Sequence, residues 1–287
     1  LPLPQVLRHS AIPQLKRLKI SGTPTLLALT RLDKITLPEV TSAVIDRTAW
    51  SITIAGGGEN SVEAALPYLP NLKHLTFNHL FCRVTDGLKS IPEQVPWSQL
   101  THLALGGNLY VRHWRAVLRQ CVKLQKGTFH LTGHFAYDVG EEREHVELRD
   151  LRELTTFRCS PFVEPLVNIS LPLLERLQIY TWQSQPLVDF TNPSIFDSLT
   201  HLTLVSSGQV HGGHIISVVD RLPKLVELFF TMDHGLKEAY HFLTYGHEGK
   251  FKLRHLRTLG MHTWYSRETM DEDEPFPFDA LTSLVES

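Results

Sequence analysis

A six-residue phrase, Leu-x-x-Leu-x-apolar, recurs along the 287-residue chain and constrains its fold more than any other feature. It appears as Leu15, Leu18, Ile20 after Pro13, as Leu72, Leu75, Phe77 after Pro70, and as Leu100, Leu103, Leu105 after Trp97. Leu124 and Phe129 follow, with Gly127 in the middle place. Then come Leu154, Phe157, Cys159, next Leu174, Leu177, Ile179, and next Leu199, Leu202, Leu204. Leu225, Leu228, Phe230 and Leu256, Leu259, Met261 continue the series, and Leu281 with Leu284 opens a further copy. Two weaker copies stand between Leu15 and Leu72, at Leu32, Ile35, Leu37 and at Ala49, Ile52, Ile54. From Leu72 onward the first leucines recur about every 20–31 residues, near the roughly 20–29 residues of a leucine-rich repeat.

The stride has a physical meaning. The x-Leu-x-apolar segment reads as a short strand whose alternate side chains point to opposite faces. One such unit cannot bury its leucines alone, so copies stack into a parallel sheet over a continuous core. The expected fold is of the α/β class. It is an irregular leucine-rich-repeat solenoid, one domain over residues 1–287 with about 10–12 repeats, a parallel concave sheet on one side and helices and loops on the convex side. Helical returns are expected over residues 61–69, 110–121, 215–222 and 236–243, where apolar residues fall at helical spacing. The returns over 160–172 and 183–193 are short and proline-rich and read as irregular. Asn108 alone keeps the asparagine of fuller repeat patterns, while Thr23, Thr132 and Ser207 hold that place elsewhere.

The phrases Leu171-Pro172-Leu173-Leu174-Glu175-Arg176-Leu177-Gln178-Ile179, Phe196-Asp197-Ser198-Leu199-Thr200-His201-Leu202-Thr203-Leu204 and Leu222-Pro223-Lys224-Leu225-Val226-Glu227-Leu228 resemble a known family. They look like the repeats of F-box leucine-rich-repeat proteins, particularly the divergent ones of mushroom-forming fungi. The resemblance implies that the repeats hold a protein substrate while an upstream F-box binds the adaptor of a cullin-type ubiquitin ligase. Residues 1–11 are too short for an F-box, so the resemblance implies one upstream of this segment. An adaptor is therefore an expected partner only where an F-box lies upstream. The alternative is a stand-alone leucine-rich-repeat regulator or inhibitor.

Composition narrows the classes further. Lys and Arg number 28 against 30 Asp and Glu, a formal charge of -2, which lacks the concentrated positive charge of a nucleic-acid binder. No apolar run is long enough to span a bilayer. Cys82, Cys121 and Cys159 lie far apart, without metal-ligand or disulfide spacing, and read as reduced thiols of a cytoplasmic or nuclear protein. The expected partner is a protein on the concave face, with neither nucleic acid nor membrane.

Sixteen histidines raise the question of a metal. His211 and His214 stand three apart across two glycines, and His130 and His134 flank a strand exit, yet no third ligand is near either pair. The glycine run Gly56-Gly57-Gly58 before Ser61 lacks the Gly-Lys-Ser/Thr of a phosphate loop. The acidic run over residues 271–274 reads as a solvated loop, and no triad context surrounds any Ser, His and Asp. No catalytic residue, cofactor or metal is expected.

Recognition is expected on two outward columns of the sheet. The first reads Arg17, His74, His102, Lys126, Thr156, Arg176, His201, Glu227, Thr258, a mildly basic strip suited to an acidic partner. The second reads Lys19, Thr76, Ala104, Thr128, Arg158, Gln178, Thr203, Phe229, Gly260, with Tyr180 and Trp182 nearby as aromatic contacts. Polar residues at such positions also simply face water.

Overall fold

The computed structural model describes residues 14–21, 36–46, 69–77, 95–132, 145–158, 166, 168–181, 197–206, 218–219, 221–232 and 255–263. The chain folds as two compact units, Leu1–Leu131 with Val146–Leu151, and Thr132–His145 with Arg152–Ser287. Among the described residues each is a stack of parallel strands with little helix, a repeat solenoid.

In the first unit the strands are β1 (Arg17–Ser21), β2 (Ser42–Asp46), β3 (His74–Phe77), β4 (His102–Tyr110) and β5 (Lys126–Thr132), side by side in chain order. A two-residue strand, β6 (Val146–Glu147), follows. In the second unit β7 (Glu153–Arg158), β9 (Arg176–Thr181), β10 (His201–Ser206), β11 (Glu227–Met232) and β12 (Thr258–Thr263) stand in that order, with the short β8 (Ile169–Ser170) between β7 and β9 in sequence.

One local rule builds each repeat. Three residues before the first leucine stands another buried apolar side chain: Leu37, Leu69, Trp97, Cys121, Leu148, Leu171 and Leu222. Except at Leu148, where no such bond is seen, its carbonyl accepts the N–H of the first apolar residue, as in Leu69 to Leu72 and Leu222 to Leu225, both at 3.2 Å. Proline follows it at Pro38, Pro70, Pro172 and Pro223, where fixed φ suits the second place of a turn.

The strands are then tied by a repeated hydrogen-bond pattern. Two successive amides of one repeat donate to one carbonyl of the repeat before, as Thr101 and His102 do to Lys73, Gln125 and Lys126 to Thr101, and Thr200 and His201 to Glu175. Side chains reinforce it. The Thr41, Thr101 and Thr200 hydroxyls donate to the Lys16, Lys73 and Glu175 carbonyls at 3.4, 3.3 and 3.0 Å. Asn71 donates to Pro38 at 2.9 Å and Gln99 to Pro70. These bonds fix the stacking step without relying on the core alone.

The core lies along the inward rows of the strands. Leu18, Ala43, Leu75 and Leu103 form one row in the first unit, all buried. Leu154, Leu177, Leu202 and Leu228 form the matching row in the second. The expected helix over 110–121 is present as α1 (Val111–Gln120), which buries Val111, Trp114, Val117 and Leu118. Between β4 and α1 there is no turn at Asn108, because the strand runs on to Tyr110. The other expected helices lie outside the described residues, save Leu69, which closes a turn, the helical pair 218–219, and the turn at Arg221 and Leu222. Asn168, before β8, has φ 57°, a left-handed conformation that asparagine tolerates better than most residues.

Two sequence expectations are corrected by the register. β1 pairs with β2 and β2 with β3, so a single repeat separates Leu15 from Leu72 in the sheet. Its core residues are Val40, Ala43 and Ile45, all buried, in place of the two weaker copies expected at Leu32 and Ala49. Val and Ala fill the leucine places there, so a leucine template passes over them.

The second correction concerns β7. Leu154 stands opposite Leu177 and Thr156 opposite Ile179, so the repeat begins at Leu151, one three-residue step earlier than expected. Thr156 faces the core, 1% exposed, and its hydroxyl has no hydrogen-bond partner among the described residues. Thr156→Val keeps the shape and removes a buried unsatisfied hydroxyl. It is expected to raise stability by about 1 kcal/mol, read as a higher denaturant midpoint at unchanged slope.

Candidate functional site

The rows that face away from the core carry the candidate residues. In the first unit the row nearest the strand starts holds Arg17, Ser42, His74 and His102 in register. Lys126 continues it, since its amide repeats the bonding that sets His102 against His74. The next row holds Lys19, Val44, Thr76 and Ala104. Arg17, Lys19, His74 and Lys126 are exposed, and Thr76 and His102 half-buried. The His74 and His102 rings meet edge-on with centroids 4.3 Å apart and planes at 62°. Thr101 Oγ1 lies 3.0 Å from His102 Nδ1 and helps hold that ring. Ser42 and Val44 were missed because their repeat was misplaced.

In the second unit the first outward row is Glu153, Arg176, His201, Glu227, Thr258. Glu153 takes the place expected for Thr156, so this row carries both signs of charge and is no basic strip. His201 Nε2 and Glu227 Oε2 lie 3.8 Å apart, with side chains 30% and 47% exposed. The Thr200 hydroxyl lies 2.8 Å from His201 Nδ1, the arrangement seen at Thr101 and His102. At the leading edge Arg152 pairs with Glu175.

The second row is Thr155, Gln178, Thr203, Phe229, Gly260. Thr155 stands in the place expected for Arg158, which is instead opposite Thr181. The Thr155 hydroxyl donates to Gln178 Oε1 at 3.1 Å. Phe229 is half-buried and its ring covers Gly260, occupying the space a side chain there would need.

A third row begins with Phe157, Tyr180 and Val205. Phe157, expected in the core, lies on the outward face, and its ring stacks on Tyr180 at 4.7 Å with planes 15° apart. Arg176 is exposed, while Gln178, Tyr180, His201, Thr203 and Glu227 are half-buried. The second unit thus presents three part-exposed aromatics among polar and charged groups. Trp182 lies outside the described residues.

Chemistry of other kinds finds little footing among the described residues. No three His, Cys, Asp or Glu side chains gather closely enough to hold a metal ion. Burial pushes the Cys121 thiol up to about 12, so it stays protonated at neutral pH and is a poor nucleophile. No helix is long and apolar enough to cross a membrane. His134, His211, His214, the glycine run at 56–58 and the acidic run at 271–274 lie outside the described residues. No protein-family model matches the chain, and no curated protein matches it either.

Proposed function

We propose that the chain is a leucine-rich-repeat scaffold that binds a protein partner on the outward face of its sheets. In this reading it carries no catalysis. The observation that supports it most is the aromatic surface of the second unit: Phe157 stacked on Tyr180, and Phe229 over Gly260, beside Arg176 and Glu227. The rings steady the sheet through cross-strand pairing, and, left part-exposed beside an arginine, they are also the residue types that usually anchor protein interfaces. The resemblance of the repeats to those of F-box proteins makes the proposed role substrate recognition for a cullin-type ubiquitin ligase.

The test is an affinity capture from native cell extract with the full-length gene product, analysed by mass spectrometry. The Tyr180→Ser/Phe229→Ser variant serves as the comparison. Both positions are part-exposed, so the variant keeps its fold and is expected to lose the specific partner. Recovery of a cullin adaptor by both proteins would support the ligase role. Partners without an adaptor would leave a stand-alone scaffold. Identical capture by both proteins would sink the aromatic face as the binding surface.

A further inference from the structure

The outward face of the first unit is chemically unlike that of the second. Strands β1 and β3 enter the sheet through Lys16 and Lys73, both exposed, and the two rows beyond hold Arg17, Lys19, His74, His102 and Lys126. Neither row contains a carboxylate from β1 to β5. In a chain with more acids than bases, this segregation sets Lys16, Arg17, Lys19, Lys73 and Lys126 at β1, β3 and β5 with no carboxylate in the rows between them. The result is a positive surface that an anionic partner complements.

We propose that this face of the first unit docks an acidic protein segment, about six residues long, laid across the strands. The inference rests on the reading of the outward face as a docking surface and names the partner chemistry for its first half. Dimensions agree with it. Four strand spacings of about 4.8 Å carry Arg17 to Lys126 over roughly 19 Å, and six extended residues reach about 20 Å. The middle of the path is the His74–His102 ring pair, a flat, partly apolar floor between the flanking cations. Nucleic acid fits less well, because the chain as a whole carries no positive excess to condense a polyanion.

The test is fluorescence anisotropy on the full chain with a labelled hexaglutamate peptide, hexaglutamine as the neutral control, and a dT12 oligonucleotide. Hexaglutamate is expected to bind with a Kd below about 1 mM at low salt, weakening as salt rises, while hexaglutamine does not bind. Lys19→Glu/Lys126→Glu weakens the peptide at least about tenfold, while Lys224→Glu/Arg257→Glu, the same charge change on the second unit, alters it less than about twofold. Circular dichroism shows both variants folded. Equal losses in the two variants, no binding by the wild type, or tighter binding of dT12 at this face would overturn the proposal. The Tyr180→Ser/Phe229→Ser variant keeps hexaglutamate affinity, so failure of the aromatic face and failure of the basic face are read separately.

Discussion

Replacing Trp114 with alanine lowers the unfolding free energy by about 3–5 kcal/mol. The indole is fully buried at 0% exposure and meets the Phe129 ring edge-on, with centroids 5.7 Å apart and planes at 64°. It joins the α-helix of the first unit to a core strand, so its removal leaves a cavity where α1 and β5 share a ring contact. Trp114→Phe is far milder. The Trp114 Nε1 proton has no acceptor among the described residues, so the smaller ring loses volume but also relieves an unsatisfied donor, for a net loss of about 1–2 kcal/mol. Denaturant titration of both variants checks the order. Equal losses would mean that the indole packs less tightly than its burial indicates.

Restoring the leucine that the repeat pattern asks for at position 127 is expected to damage the protein. A side chain at Gly127 would place its Cβ 2.5 Å from the Phe129 ring, and Phe129 is fully buried with nowhere to move. Gly127→Leu therefore costs about 3 kcal/mol or more through overpacking. In the Phe129→Ala background the sign reverses, because the new leucine fills the space the ring has left. The double-mutant cycle is expected to show a coupling of at least about 2 kcal/mol. An additive result would mean that the glycine serves the backbone and not the ring. Gly260 offers the contrast: its neighbour Phe229 lies on the outward face and can swing away, so Gly260→Ala costs under about 1 kcal/mol.

Much of this architecture was legible in the sequence, and the failures have physical causes. The leucine rows at Leu72, Leu100, Leu174, Leu199 and Leu225 fell into register because large apolar side chains filled every inward place. The β2 repeat was hidden because Val40 and Ala43 do the same work with smaller side chains. The β7 register slipped because Leu148, Leu151, Leu154 and Phe157 stand three apart, so two phases of the same template fit. The correct phase puts a threonine in the core, a choice no apolar pattern would favour. That slip carried into the candidate site: Thr156 and Arg158 were placed outward in columns that belong to Glu153 and Thr155. The true signal was present in Leu148-Arg149-Asp150-Leu151, which keeps the buried residue three places before the first leucine. The stacking of Phe157 on Tyr180 in the second unit depended on that register, whereas the basic row of the first unit was legible at Arg17, His74, His102 and Lys126.

In the proposed function the partner meets the outward sheet face and not the turns. Photo-crosslinking tests it most directly, with benzoylphenylalanine placed singly at Gln178, at Thr203 and at Leu173, in the presence of captured partner. Gln178 and Thr203 are adjacent on the face, while Leu173 is a turn residue 43% exposed. Crosslinks to one and the same protein from 178 and 203, with none from 173, are the expected result. Crosslinks from 173 alone would move the interface to the turns and overturn the proposed binding face.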